Sequence, residues 1–169
     1  LNNFIRISQE YINNISEFKY QSFWPYQYFY HNSLNMFWLK VLRKFKLFDD
    51  SHIISITSKS DFKTRTMSHV LLQDNTLLKP NSWNIPEPEN GISISDEQIE
   101  VVFIPLVTFD EKGNRIGYGK GFYDGFLKNC SKDTIKIGLS FFDAETVIDD
   151  VEPHDIPLDF CVTPNKIYT

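Results

Sequence analysis

The amino-acid sequence predicts an α/β fold, a mostly parallel sheet layered by helices, in a single domain spanning residues 1–169. Three observations carry that expectation. The stretch "EVVFIPLVTF" over 100–109 is a nearly continuous apolar run rich in β-branched and aromatic residues, as in a parallel strand buried on both faces. Candidate strands alternate with candidate helices along the chain. A chain of 169 residues without repeat, low-complexity tract or long linker makes one domain with a sizeable core.

The elements follow in order. Residues 8–18, "SQEYINNISEF", read as a short helix with Ser8 as its cap, and 18–38 is strongly aromatic. Leu34, Phe37, Trp38, Val41, Leu42, Phe45 and Phe48 then recur at helical spacing. Lys40, Arg43, Lys44 and Lys46 fall largely on the other side, and Ser33 can cap this amphipathic helix. Its basic face reads as solvated surface, with a phosphate contact as the alternative. "HIISIT" (52–57) and "HVLLQ" (69–73) read as strands, and 79–96, containing "NIPEPENG", as loop. After the run at 100–109 come a helix over 121–129, a strand "TIKIGLS" (134–140) and a final strand "DFCVT" (159–163).

Composition narrows the class. Hydrophobic residues make up 41% and charged residues 23%, with a net charge of −5, so no nucleic-acid partner is expected. No apolar run reaches the roughly 20 residues of a membrane span, and no membrane partner is expected. Cys130 and Cys161 form no C-x-x-C pair, which fits a reducing cytoplasm, and a cytoplasmic monomer is the expectation. No signal peptide is visible, although a start at Leu1 leaves room for missing upstream residues.

The chemistry concentrates in "RIGYGKGFYDGFL" (115–127), which holds four of the seven glycines, three in strict alternation at Gly117, Gly119 and Gly121. Strand, short glycine-rich loop, helix is a context in which phosphate binds: backbone N–H groups approach oxygens closely and the helix start adds a positive end. Arg115 and Lys120 can add charge-assisted contacts, and Asp124 can hold Mg²⁺ beside a phosphate. Neither G-x-x-x-x-G-K-[ST] nor G-x-G-x-x-G fits the spacing. A turn that merely lets a helix pack on the sheet remains the other reading.

From about Lys59 onward the chain resembles the 5-formyltetrahydrofolate cyclo-ligases, also called 5,10-methenyltetrahydrofolate synthetases. The matching pieces are "KSDFKTRTMSH", "NIPEPENG", "PLVTFDEKGNRIGYGKGFYD", "KIGLSF" and "DIPLDFCVTP", in the family's order and spacing, and the R-x-G-x-G-K-G-x-Y-D core is highly specific. The resemblance implies a three-layer α/β fold with helices on both faces of a mostly parallel sheet. It also implies ATP- and Mg²⁺-dependent conversion of 5-formyltetrahydrofolate to 5,10-methenyltetrahydrofolate. A non-catalytic nucleotide- or folate-binding relative and a phosphotransferase acting on another amide are the rival readings.

By the same resemblance, Arg115, Ile116, Gly117, Tyr118, Gly119, Lys120, Gly121, Phe122 and Tyr123 wrap the ATP phosphates. Arg115 and Lys120 balance charge on the transferred phosphoryl group. Tyr118, Gly119, Lys120, Gly121 and Phe122 also border the folate; a place in the core is the other reading for Phe122 and, less so, for Tyr118. Asp124 and Asp155 match metal ligands, with Asp159 as the competitor for the second place. Met67 matches a position near the folate, or packs in the core. Glu87 orients substrate, or belongs to a rigid proline turn. Lys59, Lys63 and Arg65 read as exposed charges and His154 as a surface histidine; His52 and His69 lack zinc-ligand spacing.

Residues 1–50 depart from the family's pattern. Arg6 is a doubtful match to an ATP-reaching arginine, and the accompanying lysine is expected upstream of Leu1. Tyr30 stands where a folate-contacting glutamate belongs, a loss of about 2–5 kcal/mol if nothing replaces it. Residues of about 19–50 are either genuine divergence or the product of a compensated frameshift, which the nucleotide sequence decides.

Overall fold

The computed structural model describes residues 54, 56–73, 75–82, 84–163 and 165–169. The helices expected over 8–18 and 34–48, Arg6, Tyr30, His52 and the start of the strand expected at 52–57 lie outside the described residues. Chain contacts divide the described residues into two compact units, one ending at Gln98 and the other running from Ile99 to Thr169.

The unit ending at Gln98 is built from antiparallel strands. β1 (Ile56–Asp61) pairs with β2 (Thr66–Leu71) in a register running from Ile56↔Leu71 to Asp61↔Thr66. The expected strands at 52–57 and 69–73 are thus both displaced toward the turn that joins them. Apolar letters marked those strands, but the polar Lys59, Ser60 and Asp61 complete the ladder. Asp61 then closes the turn, its Oδ1 accepting the N–H groups of Lys63 at 2.8 Å and Thr64 at 3.3 Å.

The loop expected over 79–96 is largely structured. β3 (Leu78–Pro80) and β4 (Pro86–Pro88) form a hairpin, and β5 (Ser93–Ile94) adds to the edge of β2. The prolines misled the reading because they alternate: within β4 only Glu87 keeps a backbone N–H. Asn81 closes the turn, its N–H donating to the Ile85 carbonyl at 2.9 Å and its side-chain oxygen accepting the Ile85 N–H at 3.0 Å. A 3₁₀ turn over Asp96–Gln98 ends the unit.

The other unit is centred on a four-stranded sheet in which Ile167–Tyr168, Phe160–Val162, Ile135–Leu139 and Val101–Pro105 follow one another. β6 (Val101–Pro105), β9 (Ile135–Leu139) and β10 (Phe160–Val162) run parallel, and β11 (Ile167–Tyr168) returns antiparallel to β10. The expectation of a mostly parallel sheet therefore holds in this unit, while β11 had no signal beyond "KIYT". Ile104, Ile137, Leu139 and Val162 are buried in its core.

The apolar run at 100–109 is not one strand. Val107 N–H donates to the Ile116 carbonyl at 2.8 Å, so the chain leaves the parallel sheet to start a hairpin, β7 (Thr108–Phe109) with β8 (Arg115–Ile116). β6 is also covered less than its letters suggest: Val102 and Ile104 are buried, whereas Val101 is 40% exposed. Among the described residues one α-helix occurs, α1 (Phe122–Leu127), which buries Phe126 and Leu127. It is shorter than the 121–129 expected, because Asn129 N–H bonds back to Phe126 in a tightening turn. Among the described residues no helix is long and apolar enough to cross a membrane.

Candidate functional site

The glycine-rich segment is held out by the β7–β8 hairpin, and that hairpin is organised by Asp110, which the sequence reading overlooked. Asp110 is only 2% exposed. Its Oδ1 accepts the N–H groups of Lys112 and Asn114, both at 2.9 Å, and its Oδ2 accepts the Asn114 side-chain amide at 2.8 Å. Burial alone would raise this carboxyl, but hydrogen bonds from Asn114, Lys112 and Ile148 outweigh it and hold the pKa below the usual aspartate value. The pattern D-x-x-G-N was the available signal, since Asp readily caps its own turn. At the tip, Leu158 N–H donates to the Gly113 carbonyl at 2.9 Å, which ties the hairpin to the segment preceding β10.

Beyond β8 the loop is open. Among the described residues, a Cβ added at Gly117, Gly119 or Gly121 would meet no atom within 4 Å apart from its chain neighbours. Gly119 and Gly121 have φ of +76° and +66°, the left-handed region that side-chain-bearing residues avoid. Gly119 and Gly121 therefore serve backbone geometry, and all three glycines leave space over the main chain; among the described residues none of them is needed for tight packing of a helix on the sheet. Lys120 is exposed between them, and Tyr118 is 46% exposed. Phe122 and Tyr123 are half-buried at the start of α1. Six residues make a short helix, so the expected dipole contribution is small and the loop amides are the main donors on offer.

Arg115 lies beneath this loop with its side chain 5% exposed. Its Nη2 donates to Asp124 Oδ1 at 2.7 Å, and its Nη1 donates to the Ile156 carbonyl. Ile156 N–H donates to the same Asp124 oxygen at 3.2 Å. Burial pushes the Tyr123 phenol well above its usual value, and the nearby Arg115 charge only partly opposes that.

The two carboxylates matched to metal ligands are thereby brought into neighbouring segments. Asp124 is 21% exposed at its side chain. Asp155 precedes Ile156, and its Oδ2 accepts the Glu152 N–H at 2.9 Å. Asp159 is committed elsewhere: its Oδ2 meets Lys136 Nζ at 2.8 Å and accepts the Lys136 N–H at 2.7 Å, pinning the start of β9. Among the described residues no three His, Cys, Asp or Glu side chains converge as a metal cage. That donor set fits Mg²⁺, which is commonly held by one or two carboxylates plus substrate phosphate, and not a dedicated protein cage.

Met67 and Glu87 belong to the unit ending at Gln98, where the structure connects them through one residue. Ser60 pairs across the ladder with Met67, and its N–H donates to Glu87 Oε1 at 3.0 Å. Glu87 is 9% exposed and Met67 is half-buried. In the same unit His69 is buried, with Nδ1 2.9 Å from Ser58 Oγ and Nε2 3.5 Å from Asp96 Oδ1. Burial lowers the His69 pKa although Asp96 pulls it up. Lys59, Lys63, Arg65 and His154 are exposed, as read from the sequence.

Comparison with known proteins meets this geometry. The family model described as 5-formyltetrahydrofolate cyclo-ligase family matches residues 48–164. The 5-formyltetrahydrofolate cyclo-ligase of Haemophilus influenzae is 37% identical over 86 residues, covering 49% of this chain and 46% of that protein. Its counterpart from Escherichia coli K12 is 42% identical over 92 residues, covering 52% and 50%. The chain thus spans about half the length of the curated relatives it matches. An NMR structure of Aquifex aeolicus 5,10-methenyltetrahydrofolate synthetase superposes with a TM-score of 0.59 at 28% identity, covering 75% of this chain and 63% of that one. The family model spans most of the chain and the structural likeness agrees with it: the chain belongs to the 5-formyltetrahydrofolate cyclo-ligase family.

Proposed function

We propose that this chain converts 5-formyltetrahydrofolate to 5,10-methenyltetrahydrofolate with ATP and Mg²⁺. The observation that carries the reading is the open main chain at Gly117, Gly119 and Gly121, beside the exposed Lys120. A formamide is a poor electrophile because its nitrogen lone pair delocalises into the carbonyl. Transfer of the γ-phosphoryl group to the formyl oxygen gives the carbon a leaving group. N10 then attacks, the ring closes, and phosphate departs with that oxygen. Such chemistry asks a protein mainly for positioning and charge neutralisation.

The residues divide that work. The N–H groups of the 117–121 loop hold phosphate oxygens, and Lys120 supplies the exposed positive charge beside them. Tyr118 and Phe122 offer aromatic surface to the folate. Asp124 and Asp155 would hold Mg²⁺, whose charge would offset that of the phosphates. Met67 and Glu87 belong to the folate side of the same reading. A three-layer single domain, a monomeric state and a cytoplasmic location without nucleic-acid or membrane partners complete the proposal.

The test is an assay for methenyl formation, followed by its near-ultraviolet absorbance, with ATP and Mg²⁺ present. Product that depends on both supports the proposal. ATP binding in titration calorimetry without product would replace it with a nucleotide-binding relative that does not turn over. Turnover of ATP with a different amide while 5-formyltetrahydrofolate stays inert would replace it with another phosphotransferase.

A further inference from the structure

Among the described residues, Arg115 is placed against what its charge suggests. A guanidinium meant to grip phosphate would be expected at the surface of the loop. Here it is 5% exposed at its side chain, and it faces protein. It spans two chain segments, taking Asp124 on α1 through Nη2 and the Ile156 carbonyl through Nη1. Ile156 closes the triangle by donating its N–H to the same Asp124 oxygen. Two further ties hold the same frame: Leu158 N–H to the Gly113 carbonyl at 2.9 Å, and Asp159 to Lys136.

We propose that Arg115 is a positioning residue, which locks α1 to the segment 155–158 through Asp124 and Ile156 and so holds the intervening glycine loop open for a phosphate-bearing ligand. This inference rests on the proposed nucleotide site but concerns how that site is kept in shape. The loop itself is built from glycines with left-handed backbone at Gly119 and Gly121, and a segment of that kind has no intrinsic preference for one shape. It has to be fixed at its ends. Arg115 precedes the loop and Asp124 follows it, so their contact closes the loop like a clasp. The planar fork can hold a carboxylate and a carbonyl together, which a lysine ammonium on a flexible stem does less well. The lock also orients Asp124, since the oxygen taken by Arg115 and Ile156 fixes how its other oxygen is presented.

The experiment compares Arg115→Ala, Arg115→Lys, Asp124→Ala and the double variant Arg115→Ala/Asp124→Ala in the full chain. Amide hydrogen exchange is read at residues 117–121 and 155–158 without nucleotide, and turnover and ATP affinity are read separately. A lock gives faster exchange in both segments for either single variant. The double variant is then no worse than the worse single, because both changes open the same clasp. Arg115→Lys falls between wild type and Arg115→Ala. Turnover drops at least 100-fold, and any loss of ATP affinity accompanies faster exchange at 117–121, since it is the loop amides that lose their shape. The inference is overturned if Arg115→Ala weakens ATP binding more than 50-fold with exchange unchanged, which marks a direct phosphate contact. It is equally overturned if the exchange effects of the two single variants simply add. Should a variant fail to fold, Arg115→Lys with Asp124→Asn gives the same comparison at lower perturbation. Absence of ATP binding in wild type would fail the proposed function and leave the exchange result standing.

Discussion

The backbone N–H of Ser60 donates to Glu87 Oε1 at 3.0 Å while Ser60 stands opposite Met67 in the β1–β2 ladder. One main-chain position thus links the two residues that the family resemblance sets beside the folate. Glu87 also supplies the only N–H of a proline-flanked strand, so it has a structural duty whatever else it does. Glu87→Ala is expected to destabilise the protein by about 2 kcal/mol, the usual worth of a buried hydrogen bond to a charged group, and Glu87→Gln by less than about 1 kcal/mol. Urea unfolding measures both. A change under about 0.5 kcal/mol for Glu87→Ala would show that the Ser60 contact contributes little.

The loop glycines should separate by backbone angle. Gly119→Ala and Gly121→Ala force a Cβ into left-handed backbone and are each expected to cost about 1–2 kcal/mol. Gly117 lies outside that region and has open space, so Gly117→Ala should leave stability within about 0.5 kcal/mol while obstructing approach of a ligand to the main chain. Thermal unfolding paired with ATP titration checks this. Equal stability losses at all three sites would contradict the backbone explanation.

Lys120 is exposed in the loop and has no part in the core. Lys120→Ala is therefore expected to keep the melting temperature and to lower turnover at least 100-fold, about 3 kcal/mol of lost charge stabilisation. Near-normal methenyl formation by the variant would make the loop a structural turn.

Asp110 holds its hairpin through three hydrogen bonds and has a lowered pKa. A carboxyl whose folded pKa lies below its unfolded value stabilises fully above the unfolded value, and that contribution is lost as pH falls through the folded one. Asp110→Asn should therefore flatten the acid side of the stability curve below about pH 4, the ordinary aspartate range. Its neutral-pH cost should be about 1–3 kcal/mol. Parallel acid curves for wild type and variant would remove Asp110 from the account.

His69 predicts a second pH effect, in the other unit. Its folded pKa is lowered by burial against the pull of Asp96, so the unfolded chain takes up a proton first as pH falls. Stability should decline as pH drops below about 6.5, the unperturbed histidine value, and His69→Gln should lack that decline. Denaturant midpoints between pH 7.5 and 5.5 decide it, and identical profiles would be the contrary result.

Much of the candidate site was legible in the letters. Gly117, Gly119 and Gly121 with Lys120 form a local motif, and residues close in sequence share one short loop wherever the rest of the chain goes. That "EVVFIPLVTF" and "TIKIGLS" each hold a strand of a mostly parallel sheet was legible too, because apolar runs with few alternatives must be buried, but which strands pair and where the first one ends were not. The hairpin over 78–88 was not, since prolines that alternate in one strand look the same in sequence as prolines that break one. Asp110 was hidden for a related reason: a turn-forming aspartate is common, and only its 2% exposure marks it as an anchor.

By itself the sequence determined the chemistry on offer: a glycine-rich stretch with a lysine inside it, aromatics around it, and an arginine and an aspartate at its two ends. Local spacing suffices for that, because these residues are bound to stay within a few residues' reach. Tertiary structure alone decided what each charge faces. Arg115 points inward because the segment 155–158, more than thirty residues later in the chain, brings the Ile156 carbonyl and N–H to the same place as Asp124. No local pattern encodes such a meeting, since it depends on how the parallel strands return the chain to one end of the sheet.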